Sequence, residues 1–253
     1  MGKTSKTPGF GLIVIGNEIL DGRRHDAHFQ AAFDLLSQRR LALQYTLYLP
    51  DDTDTIVAHL RWAFARPFPF FSCGGIGGTP DDLTRACAAR AAETTLQLHR
   101  EALAIVTARF GEAQLTSARR RMLEFPRGAD LIPNPVNQVP GFAFRNGYFV
   151  PGFPRMARPM MAWVLDSLYE PGDARAAVTL TLPGAREGDL GELMDWFTES
   201  FPDVSFSSLP RLVDSGFELD LGVAGPPAAV EAAVEALQTR MEADGIAWVR
   251  RGN

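Results

Sequence analysis

Cysteine and lysine are scarce in this chain of 253 residues, and it contains no long hydrophobic run. Cys73 and Cys87 are its only cysteines, too few for a disulfide framework and without the spacing of a zinc site. Of its 25 Lys and Arg residues only Lys3 and Lys6 are lysines. Arginine is the better bidentate partner for phosphate, but a compositional bias of the genome explains the excess of arginine as readily. No run of about 18 uncharged apolar residues occurs, and the polar start before Phe10 lacks the apolar core of a signal peptide. We therefore expect a cytoplasmic protein that does not enter a membrane.

The charge is unevenly distributed along the chain. The formal net charge is -5, yet residues 174–253 carry 6 basic against 13 acidic side chains, while the rest of the chain is close to neutral. Such an acidic surplus repels a phosphate backbone, so we expect no nucleic-acid partner. With 46% hydrophobic and 22% charged residues and a mean hydropathy of -0.05, the composition is that of a folded globular protein.

Strand and helix patterns alternate over the first part of the chain. Short apolar runs predict strands at 10–16, 41–49 and 68–73, and 3.6-residue periods predict helices between them. The first helix follows Asp26 and has Phe29, Phe33 and Leu36 as its apolar positions. Thr53 is the predicted cap of the second. This alternation predicts an α/β domain with a mainly parallel sheet and helices on its faces.

Further elements follow a glycine-rich loop. Thr79-Pro80-Asp81-Asp82 carries the signals of a helix start, with Thr79 as the cap. Two more helices are predicted at about 99–110 and 116–125, and Asn146-Gly147 indicates a two-residue hairpin turn within 142–150. A last helix follows Pro151-Gly152-Phe153-Pro154.

Pro171-Gly172-Asp173 is the best candidate for a domain boundary, because it separates two self-contained sets of elements. The sequence thus predicts an α/β domain over residues 1–172 and a small acidic α+β domain over residues 173–253. The second set reads β-α-β-β-α-β, the order of a split βαβ, ferredoxin-like domain. We expect this domain to serve packing or dimerisation, and the protein to form a homo-oligomer.

The glycine loop is the clearest chemical signal. Gly74, Gly75, Gly77 and Gly78 lie between a strand and a helix, where backbone N–H groups, those of Gly75, Gly77 and Gly78 among them, converge on an anion. The spacing is neither that of a Walker A loop nor that of a Rossmann fingerprint. The structural alternative is a glycine turn in which Thr79 and Asp82 only satisfy the N–H groups of a helix start.

Carboxylates accompany the loop. Asp81 and Asp82 would repel a bound phosphate, so a phosphate at this position requires a divalent cation beside it. The carboxyl ends of parallel strands meet at one edge, which brings Asp51 toward the loop. Asp51 and Asp82 are therefore the candidate pair, and a turn or cap role is the alternative for each.

Five motifs, taken in order, resemble those of the molybdopterin-binding domain family of molybdenum-cofactor biosynthesis. The most similar branch is the N-terminal region of competence/damage-inducible protein A. The motifs lie within residues 10–165 and are Gly16-Asn17-Glu18-Ile19-Leu20-x-Gly22, Pro50-Asp51-Asp52, the loop from Gly74 to Thr84, Asn134-Pro135-Val136 with Pro140-Gly141-Phe142, and Pro151-Gly152-Phe153-Pro154.

The resemblance implies a three-layer α/β/α sandwich that binds molybdopterin, another phosphorylated pterin or a related nucleotide. It implies catalytic and metal-binding roles for Asp51 and Asp82, with Mg²⁺, Mn²⁺ or Co²⁺ as the cation. It further implies hydrolysis of the pyrophosphate in ADP-ribose-like dinucleotides, and the alternative is a non-catalytic module that binds or senses the pterin or nucleotide. The amidase domain of full-length members is not in this sequence. The ligand-binding positions implied are Gly16, Asn17, Glu18, Gly74, Gly75, Gly77, Gly78, Thr79, Asp81, Thr84, Asn134, Pro135, Gly141, Pro151 and Gly152.

Three positions depart from the family pattern. Gly78 stands where proline is common, His28 where asparagine is usual, and Asn137 where glycine is usual, so a side chain at Asn137 approaches the ligand position. His25 and His28 lie three residues apart with no third ligand near in sequence, which favours solvent exposure or capping over zinc binding.

Overall fold

A computed structural model describes residues 9–213 and 216–251 of the chain. The polar start that precedes Gly9 lies outside the described residues. The chain divides into two units, with the boundary between Gly172 and Asp173. Each unit has its own hydrophobic core.

The first unit is built on a sheet of six strands in the order β2-β1-β3-β8-β7-β6. Strands β2, β1, β3 and β8 are parallel, and β7 and β6 are antiparallel to their neighbours. A two-stranded sheet pairs β4 with β5. The elements are β1 (Phe10–Ile15), α1 (Asn17–Leu20), α2 (His28–Gln38), β2 (Leu43–Leu49), α3 (Thr53–Phe64), β3 (Phe70–Cys73), α4 (Thr84–Ala91), β4 (Leu96–Leu98), α5 (Arg100–Phe110), α6 (Ser117–Arg121), β5 (Glu124–Pro126), β6 (Asp130–Ile132), β7 (Gly141–Phe144), β8 (Gly147–Val150) and α7 (Pro154–Leu168).

Helices cover both faces of this sheet. All six residues of β1 are buried. Alternate side chains of a strand point to opposite faces, so Leu12 and Val14 pack with α2 and α7, and Ile13 and Ile15 pack with α3 and α4. The predicted α/β fold with a mainly parallel sheet is confirmed, and its layers are α/β/α.

Helix α2 buries Leu36 as predicted but leaves the two predicted phenylalanines exposed. Phe29 and Phe33 are 42% and 47% exposed, and their rings stack on each other at the surface. The buried face consists instead of His28, Ala31, Ala32, Leu35 and Leu36. The two alanines allow the helix to lie close to β1 and α7, which bulky phenylalanines would prevent.

Three local boundaries differ from the predictions. Asp52, not Thr53, caps α3 through a hydrogen bond from the Thr55 N–H at 2.8 Å. The helix predicted at 116–125 ends at Arg121, because residues 124–126 pair with β4. The hairpin loop is Arg145-Asn146, because Gly147 pairs with Phe144 inside β8, where a Cβ would collide with the rings of Phe70 and Phe149.

The second unit has the β-α-β-β-α-β order that the sequence predicts. Its antiparallel sheet has the strand order β10-β11-β9-β12, the arrangement of a ferredoxin-like domain. Helices α8 and α9 pack against one face, over Leu180, Leu219 and Leu221. No helix in the part of the chain that the structure describes is long and apolar enough to cross a membrane. The elements are β9 (Ala176–Pro183), α8 (Gly191–Ser200), β10 (Ser205–Val213), β11 (Gly216–Gly225), α9 (Pro227–Ala243) and β12 (Val249–Arg250).

The hairpin loop anchors the end of α3 to the sheet. The Asn146 side-chain amide lies 3.1, 3.2 and 3.0 Å from the carbonyl oxygens of Ala63, Arg66 and Phe68. We expect Asn146→Ala to lower the free energy of unfolding by about 1–3 kcal/mol, because it leaves these carbonyls without their donor. Urea unfolding measures the change. Gln30→Ala, which removes one exposed hydrogen bond to Asp34, is the control and should stay within about 0.5 kcal/mol of the unaltered chain.

Candidate functional site

The candidate site lies where the four parallel strands end. Hydrogen bonds join the segments that follow them: the Gly16 N–H donates to the Leu49 carbonyl at 3.1 Å, and the Gly74 N–H donates to the Val150 carbonyl at 3.1 Å. A cavity of about 480 Å³ opens at this edge. It is lined by Ile15, Gly16, Glu18, Arg24, Asp51, Gly74, Gly75, Ile76, Gly77, Gly78, Thr79, Asp81, Asp82, Met122, Asn134, Asn137, Val139, Pro140, Pro151, Gly152, Phe153 and Met156.

Most of the predicted site residues line this cavity, but four do not. Asn17 lies beside it, bound to Asp51. Thr84 is fully buried behind the glycine loop. Pro135 is exposed in its turn, and Gly141 lies within β7, where a Cβ would collide with the Phe149 carbonyl and the Met160 side chain.

Thr84 fixes the first half of the glycine loop. Its hydroxyl donates to the Gly74 carbonyl at 2.9 Å, and its N–H donates to the Gly75 carbonyl at 3.0 Å. Gly74 has a φ of 108°, and a Cβ there would collide with the Ile15 carbonyl, so this position requires glycine. Thr84 is the first residue of α4, and the loop is therefore bound to the start of that helix.

Two arginines fix the second half of the loop. Arg85, which is 5% exposed, donates from Nη2 to the Gly77 carbonyl at 2.7 Å and from Nη1 to the carbonyls of Arg121 and Glu124. Arg121 donates from Nη2 to the Gly78 carbonyl at 3.0 Å. Burial lowers the pKa of Arg85, and the neighbouring Asp82 and Glu124 act in the opposite direction.

These contacts determine which N–H groups the loop offers. In a trans peptide the N–H points opposite to the preceding carbonyl, and no cis peptide occurs in the described residues. The N–H groups of Gly75, Ile76 and Gly78 therefore point away from Thr84 and Arg85. Within residues 9–213 and 216–251 none of these three N–H groups donates a hydrogen bond. All three residues line the cavity, so three donors are available to an anion there.

Asp82 holds the loop and leaves Gly77 out of this donor set. Its Oδ1 accepts from the Gly77 N–H at 2.8 Å, and its Oδ2 accepts from the N–H and the hydroxyl of Thr79 at 2.8 and 2.5 Å. Two expectations are therefore wrong. Gly77 does not offer its N–H to an anion, and residues 79–82 form a turn before α4 instead of its first turn. Ile76, between the glycines, supplies the third donor instead.

Asp51 faces the same cavity with one oxygen unoccupied. Its Oδ2 accepts from the Asn17 N–H at 2.8 Å, while its own N–H donates to the Asn17 side chain at 3.2 Å. Among the described residues Oδ1 accepts no hydrogen bond. The cavity also presents Glu18, Asp81 and Asp82, but the described part of the chain contains no group of three or more His, Cys, Asp or Glu side chains placed to hold a metal.

His28 supports the cavity wall from behind. It is 4% exposed, so the expected solvent exposure is wrong, and its Nε2 lies 3.2 Å from the Gly152 carbonyl. A carbonyl only accepts, so Nε2 carries the proton. Asp26 caps α2 in its place, by accepting from the N–H groups of His28 and Phe29.

The cavity also has an apolar wall and one cation that are not among the predicted ligand-binding positions. Met122, Val139, Pro140, Phe153 and Met156 form the wall. Arg24 is the basic side chain that lines the cavity within the described residues, and its guanidinium lies 5.7 Å from the centre of the Phe153 ring. The proximity of Arg24 to the Gly16 motif was an available signal, whereas Met122 gave none, because only the fold brings the end of α6 to the loop.

Comparisons with known proteins assign a family to this geometry. Residues 11–170 match the family described as "Probable molybdopterin binding domain". The chain is 38% identical over 195 residues to a CinA-like protein of Citrifermentans bemidjiense, covering 73% of this chain and 46% of the relative. It is 30% identical over 190 residues to a protein of Caldivirga maquilingensis, covering 73% and 74%. A crystal structure of the protein CinA, of unknown function, from Thermoplasma acidophilum aligns with a TM-score of 0.59 at 27% identity and covers 63% of this chain and 97% of that one. The chain spans about half the length of the CinA-like relatives that it matches.

The two neighbouring aspartates of the loop provide a matched pair for mutagenesis. We expect Asp82→Ala to lower the free energy of unfolding by about 1–2 kcal/mol, because it removes the acceptor of three loop hydrogen bonds. Asp81→Ala removes the same charge from an exposed position that accepts none of these three hydrogen bonds, so it should cost less stability than Asp82→Ala. Urea unfolding of both variants tests this, and equal losses would contradict the structural role of Asp82.

Because the imidazole of His28 is buried, we expect the protein to lose stability in acid. Burial lowers the pKa of His28, against the hydrogen bond to Gly152 and the charge of Asp26, which raise it. In the unfolded chain His28 has a pKa of about 6.5, so it takes up its proton at a higher pH there than in the folded chain. The contribution of His28 to stability is therefore complete above that pH and is lost as the pH falls from it toward the lower pKa of the folded chain. Between about pH 7.5 and about pH 5.5, His28→Asn should lose less unfolding free energy than the unaltered chain.

The control for this measurement is His25→Asn, which alters an exposed histidine three residues away. It should retain the pH dependence of the unaltered chain. A His28→Asn variant with that same dependence would show that another group causes the acid sensitivity.

Proposed function

This chain belongs to the molybdopterin binding domain family, and on that premise we propose that its cavity binds a phosphorylated pterin or a related nucleotide. The observation that carries the proposal is the set of three N–H groups at Gly75, Ile76 and Gly78, which face the cavity without a partner in the described chain. Phosphate oxygens are the acceptors that such a set binds in other glycine loops.

The carboxylates of the cavity support a hydrolytic role for the same site. Mg²⁺ and related cations are commonly held by one or two carboxylates together with phosphate oxygens and water, so the lack of a larger acidic cluster among the described residues is compatible with such a cation. Asp51 and Asp82 are the residues that would hold it. When bound, the cation would neutralise charge between the phosphates and these carboxylates.

The two aspartates do not contribute equally. Asp82 already accepts three hydrogen bonds from the loop, so its main role is to position the N–H donors. Asp51 has Oδ1 available, and it would orient a water against one phosphorus of a pyrophosphate. The water oxygen bonds to that phosphorus as the bridging P–O bond breaks, the bridging oxygen leaves with the second phosphate, and the water proton passes to Asp51 or to solvent. The N–H groups of the loop stabilise the charge that develops on the phosphate oxygens.

A non-catalytic role in binding or sensing the ligand is the second candidate. The observation that favours it is the use of both Asp82 oxygens by the loop, because one of the two candidate catalytic carboxylates is then occupied in holding the N–H donors. Tight binding without turnover supports this candidate over hydrolysis.

Substitution of Asp51 separates the two candidates. We expect the unaltered chain to hydrolyse ADP-ribose or FAD with Mg²⁺, Mn²⁺ or Co²⁺, and Asp51→Asn to lower kcat/KM by about a hundredfold or more, because the amide cannot accept the proton of the attacking water. AMP affinity, measured by calorimetry, should change by less than about tenfold. Asp54→Asn alters an exposed acid two residues into α3 and serves as the control for turnover.

The outcomes are distinct. Activity of Asp51→Asn equal to that of the unaltered chain would overturn the hydrolytic assignment. AMP binding without turnover in the unaltered chain would establish the binding module, and binding of no phosphorylated probe would overturn the proposed function as a whole.

A further inference from the structure

A buried side-chain amide faces the cavity without an acceptor. Asn134 is 4% exposed and lines the cavity, and its Nδ2 has no hydrogen-bond partner in the described part of the chain. A buried donor without an acceptor is unfavourable, and native structures rarely leave one unless water or a ligand completes it. The Asn134 amide is a donor in addition to those of the glycine loop, because Asn134 lies on a different segment of the chain.

The orientation of the amide follows from its other contact. The Val136 N–H lies 3.0 Å from the Asn134 side chain, and since a backbone N–H only donates, the atom that it meets is Oδ1. Asn137 repeats the pattern three residues later, with its Oδ1 accepting from the Val139 N–H at 2.9 Å. Its Nδ2 has only the Met156 sulfur, a weak acceptor, at 3.5 Å. Both amides therefore have their oxygens occupied, and neither NH₂ group has a strong acceptor among the described residues.

The surroundings of these two amides differ from those of the glycine loop. Val139, Pro140 and Met156 line the cavity, and the Met156 sulfur lies against the Asn137 amide. Such a surface suits the flat, weakly hydrated faces of a heterocyclic ring, whereas the loop donors suit phosphate. The cavity lining thus offers both kinds of contact that a phosphorylated heterocycle requires.

We propose that Asn134 and Asn137 form an amide pair that donates hydrogen bonds to the acceptor edge of the ligand's ring and selects ligands by that edge. The inference rests on the proposed function, because it assumes that the glycine loop binds the phosphate. Two donors without a free acceptor match a ring that presents two neighbouring acceptors, an oxo group beside a ring nitrogen. Guanine has this pattern at O6 and N7, and the ring of an oxidised pterin has it at the oxo group and N5. Adenine places a donating amino group beside N7 and matches only half of the pair.

Calorimetric titration of the full chain with GMP, AMP and ribose 5-phosphate tests the pair. The unaltered chain should bind GMP at least about tenfold tighter than AMP, and AMP no weaker than ribose 5-phosphate, which has no ring. Asn134→Ala should bring the GMP affinity to that of AMP and leave ribose 5-phosphate within about threefold. Asn137→Ala should produce a smaller change in the same direction.

Substitution by aspartate keeps the turn intact. Asn134→Asp retains the acceptor for the Val136 N–H and lacks the donor, so it removes the proposed contact without removing the fold of the segment. The added negative charge weakens the binding of all three phosphorylated probes alike. The ratio of the GMP affinity to the ribose 5-phosphate affinity is therefore independent of this effect. Gln138→Glu adds the same charge in the same turn at a position that does not line the cavity, and its affinity ratio should stay unchanged.

The results separate this inference from the proposed function. Equal affinity for GMP and AMP in the unaltered chain, or an unchanged ratio in both Asn134 variants, overturns the amide pair while ribose 5-phosphate binding still supports the phosphate site. Failure of all three probes to bind overturns the proposed function and the amide pair with it.

Discussion

Hydrogen bonds to the carbonyl groups of the glycine loop are the constraint on which the site depends. Thr84, Arg85 and Arg121 hold the carbonyls of Gly74, Gly75, Gly77 and Gly78, and planarity of the peptide then orients the following N–H groups. None of these three side chains lines the cavity. The three N–H groups that we propose as donors to an anion are therefore oriented by residues outside the cavity lining. The parallel sheet supplies the frame, because it brings the segments that carry Gly16, Asp51 and Gly152 to the same edge.

The sequence was sufficient to predict the sheet, the position of the site and most of the residues that line it. Alternating strand and helix periods determine a parallel sheet, and the carboxyl ends of its strands then define one edge. The roles of individual N–H groups were not predictable in the same way. Asp82 takes the N–H of Gly77, and Arg121 reaches Gly78 across 43 positions of the chain, so the orientation of each peptide depends on partners that no local pattern identifies.

Local sequence also does not determine which aromatic residues are buried. The spacing of Phe29 and Phe33 fits a buried helical stripe as well as the alanines and leucines of α2 do, and only the close approach of α2 to the sheet decides between them. Gly147 presents the same problem, since a glycine after asparagine indicates a turn, while here the lack of a side chain serves packing against Phe70. In each case the size of a neighbour from a distant segment determines the outcome.

The separation between the glycine loop and the segment that carries the two amides has an evolutionary consequence. The loop is bound on every side to helices and to the sheet, so a substitution there disturbs the fold as well as the ligand. The segment from Asn134 to Pro140 connects β6 and β7 and bonds mainly to itself, so a substitution at Asn137, which departs from the family pattern, alters a cavity side chain without disturbing the glycine loop. In a domain built in this way a substitution in one short connection changes the cavity lining while the fold is retained, so membership of the family does not by itself identify the ligand.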